Sequence, residues 1–280
     1  MPGLFELKNI GYSYVNGQPA LSDINLVVNE GEIVSVIGSN GSGKSTLLNI
    51  LCGLAFPDKG TISFKGEIFN EKSFKNDQFS RKFRSSIAYV FQNSDAQLFC
   101  PTVFDELIFG PLQLEIPREN AFHRAEEVMQ MLNITDLKDR PVYMLSSGEK
   151  KRVAIGAVLT SNPEVLIIDE PMSGLDPKTR SFLIELIFTL NKVGKTIIIA
   201  THHLELVDHL QSGVVVLSEK HNIEKTGNSA DILSDTDLLI KTNLISEYPH
   251  RHDGKIHKHL SSAFLDHSHK KNQNNSQGTL

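Results

Sequence analysis

The chain has 280 residues, 40% of them hydrophobic and 22% charged, enough apolar material for one large or two small cores in a soluble molecule. Its 28 basic and 33 acidic side chains leave a formal net charge of -5, which excludes an overall basic footprint, and no local basic patch points to a nucleic-acid partner. Cys52 and Cys100 form neither a CxxC pair nor a disulfide framework, no apolar run approaches the ~18 residues of a membrane span, and the opening Met-Pro-Gly-Leu-Phe-Glu lacks the regions of a signal peptide. A reducing cytoplasm is expected, with no transmembrane segment of the chain's own; work at a membrane requires other subunits.

In chain order, residues up to about 30 alternate apolar and polar positions around Gly11, Asn16-Gly17 and Asn29-Glu30-Gly31, the pattern of an antiparallel strand and hairpin region. Ile33 to Ile37 is a short β-branched run expected of a strand covered on both faces, and Leu47, Leu48, Ile50, Leu51 and Leu54 then repeat at helical spacing. From about Gln97 to Ser147 the β-branched runs vanish and Ala125, Val128, Met129 and Leu132 share one helical stripe, which predicts a helical insert. Strand-like runs return at Val165 to Ile168, Ile197 to Ala200 and Val214 to Leu217, with a helix predicted over Thr179 to Leu190. Such alternation belongs to a parallel, helix-covered sheet and hence to the α/β class. After about Gly227 the runs weaken, and Lys270 to Leu280 is polar and expected to be disordered.

Gly38-Ser39-Asn40-Gly41-Ser42-Gly43-Lys44-Ser45-Thr46 satisfies G-x-x-x-x-G-K-[ST] between the predicted strand and helix. Its glycines let successive backbone N–H groups face phosphate oxygens beside the positive end of the helix. Lys44 is expected to bridge the β- and γ-phosphates of ATP and Ser45 to hold Mg²⁺. Val165 to Ile168 ends in Asp169 and Glu170: the first would face the Mg²⁺ shell, the second would act as general base on the attacking water. Taken alone, an acidic strand end is an ordinary solvated turn; following a phosphate loop in the same sheet, it is catalytic.

Between these lie Leu145-Ser146-Ser147-Gly148-Glu149 and, after the acidic pair, Ser173-Gly174-Leu175-Asp176. With them the chain resembles the ATP-binding cassette (ABC) ATPases, whose signature reads LSGGQ and whose following loop reads SALD or SGLD. The resemblance, over roughly Leu4 to Glu224, implies the P-loop NTPase fold of that family: a mostly parallel core sheet, an N-terminal antiparallel β subdomain and an inserted α-helical subdomain at about residues 97–147. It also implies that Ser146, Ser147, Gly148, Glu149 and Asp176 meet the nucleotide held by a second subunit. By the same resemblance Gln92 reaches Mg²⁺ and the attacking water, His202 contacts the γ-phosphate, and Tyr14 stacks on adenine, with Tyr12 the competing choice. Three positions depart from the pattern. Ser147 stands for Gly and narrows the backbone's approach to phosphate, Glu149 stands for Gln and brings a negative charge towards the nucleotide edge, and His203 stands for Asp.

Phe91-Gln92-Asn93-Ser94-Asp95-Ala96-Gln97-Leu98-Phe99, with Pro101-Thr102-Val103, Phe109-Gly110-Pro111 and Glu149 to Ile155, resembles the energy-coupling-factor ATPases more narrowly. That resemblance implies a homodimer, or a heterodimer with a second ABC ATPase, on the cytoplasmic face of the membrane. It also implies a transmembrane scaffold subunit, a substrate-binding membrane subunit, and uptake of nickel, cobalt or a vitamin. A soluble ABC ATPase outside transport is the remaining alternative. Residues 1–227 are expected to form the ATPase domain, 228–249 an extension and 250–280 a His-rich disordered tail. There, His250 with His252, His257 with His259, and His267 with His269 form His-x-His units, whose imidazoles suit Ni²⁺, Co²⁺, Cu²⁺ and Zn²⁺.

Overall fold

The computed structural model describes residues 3–252 and 255–260, with side chains described as far as residue 246. Three strands begin the chain: β1 (Phe5–Ser13), β2 (Pro19–Val28) and β3 (Ile33–Ile37), followed by helix α1 (Lys44–Leu51), β4 (Lys59–Phe64) and β5 (Glu67–Phe69). Then come α2 (Asp77–Ser86), β6 (Ile87–Val90), α3 (Val103–Gln113), α4 (Arg118–Met131) and α5 (Ser147–Leu159). The remainder is β7 (Val165–Asp169), α6 (Pro177–Lys192), β8 (Thr196–Thr201), α7 (Leu204–Leu210), β9 (Gly213–Leu217), β10 (Ile223–Asn228), α8 (Ser229–Ser234), α9 (Thr236–Lys241), β11 (Glu247–His252) and β12 (Lys255–Leu260).

Two sheets carry the body of the molecule. The strands β2-β1-β4-β5 pair antiparallel, as the alternation of the first thirty residues requires, while β10-β9-β3-β8-β7-β6 is parallel except for the antiparallel edge strand β10. Residues of β7 and β8 are buried along their whole length, which is why those segments read as continuous apolar runs rather than alternating ones. Because β3, β6, β7, β8 and β9 run the same way, the loops leaving their C-terminal ends gather on one edge. That edge is where α/β sheets place ligands.

Helices α3 and α4 lie in the segment of about residues 97–147 expected to be helical, and with α5, which follows it, they seat Leu107, Ala125, Met129, Leu132 and Ile155 on the same apolar cluster as β7 and β8. The second cluster joins the antiparallel sheet to α1 and the other face of β3. The boundary expected at residue 227 is not a break in packing. β10 runs through it, and Ile232, Leu233, Leu238, Leu239 and Ile245 pack with Val214 and Val216 of β9 in a third cluster. The expectation of an unstructured tail from residue 250 is likewise corrected for its first part, where β11 and β12 pair as an antiparallel hairpin. The sequence signal that accounts for it is Asp253-Gly254, a two-residue hairpin dipeptide, between segments with alternating side-chain character. Residues 261–280, with His267 and His269, lie outside the described residues.

Helix α2, not foreseen in the sequence, is amphipathic and capped by the Asn76 side chain on the Phe79 amide. It leads directly into β6 and so into Gln92. Phe83 holds it in place. That ring is 3% exposed and meets Phe64, Phe69, Phe74 and Phe79 at centroid distances of 4.8 to 5.8 Å. Truncation of a buried aromatic at such a site costs about 3–5 kcal/mol. Phe83→Ala is therefore expected to lower unfolding stability by about that amount in urea denaturation; a change below ~1 kcal/mol would show that α2 is anchored otherwise.

Candidate active site

The loop between β3 and α1 curls as its composition requires. Gly43 caps α1 with φ of 106°, and a Cβ there would lie 2.3 Å from the carbonyl oxygen of Ala20, so only glycine fits. A Cβ on Gly38 would lie 2.5 Å from the Ser42 hydroxyl and 2.8 Å from the Leu217 carbonyl. Lys44 is turned back into this curl. Its ammonium donates to the carbonyls of Gly38 at 2.8 Å and Ser39 at 3.1 Å, and stands 3.9 Å from Glu170 Oε1. Burial lowers the Lys44 pKa, opposed by the negative charges of Glu170 and Asp169.

The acidic pair meets Lys44 from β7. Asp169 is buried, which raises its carboxyl pKa against the pull of the Ser45 and Tyr89 hydroxyls; the Tyr89 hydroxyl donates to its Oδ2 at 3.3 Å. Glu170 has a left-handed backbone, φ 44°, an unusual conformation for a long side chain, which turns its carboxylate towards β8. There Oε1 lies 2.8 Å from His202 Nδ1, and Oε2 accepts from the Thr201 hydroxyl at 3.3 Å. Glu170, His202 and Lys44, far apart in sequence, form one contiguous cluster.

A cleft of about 680 Å³ opens over this cluster, lined by Asn40, Gly41, Lys44, Ser45, Gln92, Glu170 and His202 and, at its far end, by Tyr14 and Thr46. Tyr14 is the aromatic on the cleft, half exposed, with its hydroxyl 2.8 Å from Thr46 Oγ1; Tyr12 packs into the core beside it, edge-on at 5.4 Å. The hydroxyls of Ser39 and Ser42 and Oδ1 of Asp169 are buried without hydrogen-bond partners. Unpartnered buried polar atoms are costly and mark a place for a polar ligand. Amide-rich loop, ammonium, hydroxyls and acceptor oxygen together match a nucleoside triphosphate with a divalent cation.

Ser146, Ser147, Gly148, Glu149 and Asp176 are elsewhere. They line a separate cavity of about 540 Å³ on the α5 and α6 N-termini, so one chain brings these two sets of predicted residues to two different places. Asp176 caps α6, accepting from the Thr179 amide at 3.0 Å and hydroxyl at 2.6 Å; these bonds lower its pKa.

Comparison with known proteins decides the family. The family model described as "ABC transporter" matches residues 21–173. The Rhodobacter capsulatus "Nickel import ATP-binding protein NikO" is 42% identical over 248 residues, 88% of this chain and 97% of its own length. The chain belongs to the ABC transporter ATP-binding family. The "Energy-coupling factor transporter ATP-binding protein EcfA" of Methanocaldococcus jannaschii is 39% identical, covering 86% of this chain and 85% of that one. Among solved structures, cbiO1 from Clostridium perfringens, described as part of the ABC transporter complex cbiONQ, superposes with a TM-score of 0.74 at 34% identity, over 87% of this chain and 96% of that one. The fold is thus the ABC ATPase fold, and the chain is an ATPase that binds ATP.

Within this ABC ATPase the three departures from the signature pattern have local explanations. Glu149 lines the cavity on the α5 and α6 N-termini with its carboxylate engaged at the helix start. Its Oε2 accepts from the Ser146 amide at 2.7 Å and hydroxyl at 2.8 Å, a capping box at the start of α5, and its Oε1 from Arg140 at 3.2 Å. The Ser146 contacts keep its pKa low. Ser147 sits in the first helical turn, its hydroxyl 3.5 Å from the Gly174 carbonyl. His203 lies beside His202, 4.2 Å between ring centroids with the rings tilted by 33°, and burial lowers its pKa.

One residue that sequence reasoning passed over ties the two regions together. Lys151, in the second turn of α5, is 2% exposed and donates to the carbonyls of Phe91 and Gln92, each at 3.1 Å. Beside it Lys150 pairs with Asp95 at 2.6 Å, and Gln97 bridges the Phe91 amide at 3.0 Å and the Ala154 carbonyl at 2.8 Å. Helix α5 thereby grips the turn that carries Gln92. Burial lowers the Lys151 pKa to about 8, so its ammonium is present at neutral pH and is lost as pH rises through that value. A lysine between Lys150 and Arg152 reads as one more surface charge; only the packing of α5 under the Gln92 turn reveals it. Lys151→Met is expected to cut the ATPase kcat about tenfold or more, the cost of ~1.4 kcal/mol or more of lost positioning, with the KM for ATP changed far less. Lys151→Gln, which keeps a neutral donor, should recover part of the rate and lack the alkaline decline near pH 8. Wild-type kcat in Lys151→Met would show that the grip has no part in turnover.

Proposed function

We propose that this chain is the ATP-hydrolysing subunit of an energy-coupling-factor type importer for nickel or cobalt ions, bound to the cytoplasmic face of the membrane. The observation that carries the reading is the separation of the two half-sites on one chain, the Gly38 to Thr46 cleft and the Ser146 to Glu149 surface with Asp176. Two ATPase chains facing head to tail bring the cleft of each against the α5 N-terminus of the other. The string from Phe91 to Phe99, the EcfA relative and the nickel-import name of the 42% identical NikO favour this importer type and this cargo over a vitamin or a non-transport role. Among the described residues no helix is long and apolar enough to cross a membrane, in keeping with separate scaffold and substrate-binding subunits.

In the proposed reaction Lys44 and the amides of residues 39–46 hold the β- and γ-phosphates. Tyr14 lies against the base, and Ser146, Ser147 and Gly148 of the partner subunit close over the γ-phosphate with the positive end of their helix. Ser45, Gln92 and Asp169 would hold Mg²⁺, which neutralises phosphate charge as the β–γ bond breaks. Glu170 takes a proton from the attacking water as its oxygen bonds to the γ-phosphorus, and ADP departs with the bridging oxygen. His202, held by Glu170, steadies the γ-phosphate. ATP binds the closed pair better than the open one, and that difference in affinity is what moves the membrane subunits.

The complete complex in vesicles is expected to take up nickel or cobalt only with internal ATP. Replacing Glu170 by Gln should preserve ATP binding, hold the pair closed and reduce hydrolysis and uptake by about 10²–10⁴-fold, the range for loss of a general base. Near-normal hydrolysis by Glu170→Gln would unseat Glu170 as the base; ATP-driven uptake of a vitamin with no metal uptake would overturn the cargo.

A further inference from the structure

We propose that the β11–β12 hairpin is a transition-metal site, built from four histidines that its register brings to one face. The placement follows from the backbone alone. In the hairpin His250 is paired with His257, Tyr248 with His259, and His252 with Lys255. Alternate residues of a strand lie on the same face, and directly paired residues of an antiparallel ladder lie on the same face as each other. His250 and His252 therefore share a face with His257 and His259, while Pro249, Arg251, Ile256 and Lys258 fall on the other.

Distances between sheet positions then rank the ligands. Directly paired Cβ atoms are about 4.5–5.5 Å apart and diagonal neighbours roughly 7–8 Å, while a metal–imidazole bond is about 2.0–2.1 Å. His250 and His257, directly paired, hold the central register position among the four. His259, paired with Tyr248, and His252, paired with Lys255, flank that couple at diagonal positions, one on each side. Of the two flanking rows, that of His252 carries a lysine, a like charge to any bound cation, so the row of His259 is the more favourable position for a third imidazole. A set of three or four imidazoles with no thiolate and no carboxylate takes a borderline divalent ion, Ni²⁺, Co²⁺, Cu²⁺ or Zn²⁺, rather than Mg²⁺ or Ca²⁺.

The inference goes beyond the tail's composition, because it depends on register. Two independent His-x-His units on an unstructured segment would bind metal separately and weakly; the hairpin joins them into one site of defined stoichiometry. It does not depend on which substrate the importer carries, since it concerns binding to this chain and not transport.

The test uses the full chain, titrated with Ni²⁺ and with Co²⁺ in an isothermal calorimeter, with the visible spectrum of bound Co²⁺ as a second reading. One ion per chain at the hairpin is expected. His250→Ala and His257→Ala should each weaken it by about a hundredfold or more, since even outer partners of metal ligands are worth 10–100-fold, and His259→Ala should weaken it more than His252→Ala. The decisive variant inserts one glycine after Gly254. It keeps every histidine, but slipping one strand by a single residue carries its histidines to the opposite face, so the affinity should fall as far as in His257→Ala. A chain ending at Leu260, which lacks His267 and His269, should bind as the full chain does. Unchanged affinity in the insertion variant would overturn the proposal in favour of a flexible polyhistidine tail. So would loss of binding on removing residues 261–280, or the absence of any stoichiometric binding.

Discussion

The structure is organised around a lysine ammonium kept out of water between its own loop and two carboxylates. Lys44 can be held there only because the phosphate loop curls through glycines, its carbonyls accept from the ammonium, and Asp169 and Glu170 arrive at the end of the neighbouring part of the sheet. Burying that charge carries a desolvation cost that hydrophobic packing elsewhere has to offset. The strand order β9-β3-β8-β7-β6 turns this cost into function, because it sets the loop after β3, His202 after β8, Glu170 after β7 and Gln92 after β6 side by side at one edge. At the same edge the oxygens of Ser39, Ser42 and Asp169 are buried without hydrogen-bond partners.

The same chain carries a second cluster of polar groups, Ser146 to Glu149 with Asp176, on a different surface, and α5 connects the two. Its first turn carries Ser146, Ser147 and Gly148, and its second turn carries Lys151, which holds the backbone of Phe91 and Gln92. Helix α5 thereby joins that surface to the turn of Gln92, which lines the cleft. The capping box explains how Glu149 is accommodated in a signature that usually has Gln: the carboxylate satisfies the helix start and Arg140.

Much of this was legible in the sequence where one signal dominated. The strand β3 and the buried strands β7 and β8 are short runs rich in β-branched residues, the glycine loop has a backbone conformation few other residues can take, and the acidic pair terminates a strand. What escaped were features set by tertiary contact. Helix α2 is mostly polar, and its identity rests on a cluster of phenylalanines drawn from β4, β5 and its own face. Lys151 and Tyr89 look like unremarkable residues until burial places them under Gln92 and beside Asp169. The weak runs after Gly227 concealed α8 and α9 because both are only six residues long, too short for a clear period, and are stabilised by packing on β9. The β11–β12 hairpin was hidden by its polar composition, although Asp253-Gly254 was there to be read.

The central claim is that buried Lys44 is maintained for the triphosphate. It is tested most directly by equilibrium titration of Mg-ATP into the wild-type chain and into Lys44→Met, with circular dichroism to verify that the variant is folded. The account predicts a folded variant whose affinity for Mg-ATP is lower by at least about a hundredfold, as expected for losing a desolvated charge contact of ~3 kcal/mol or more. A folded Lys44→Met chain that binds Mg-ATP as tightly as the wild type would contradict it.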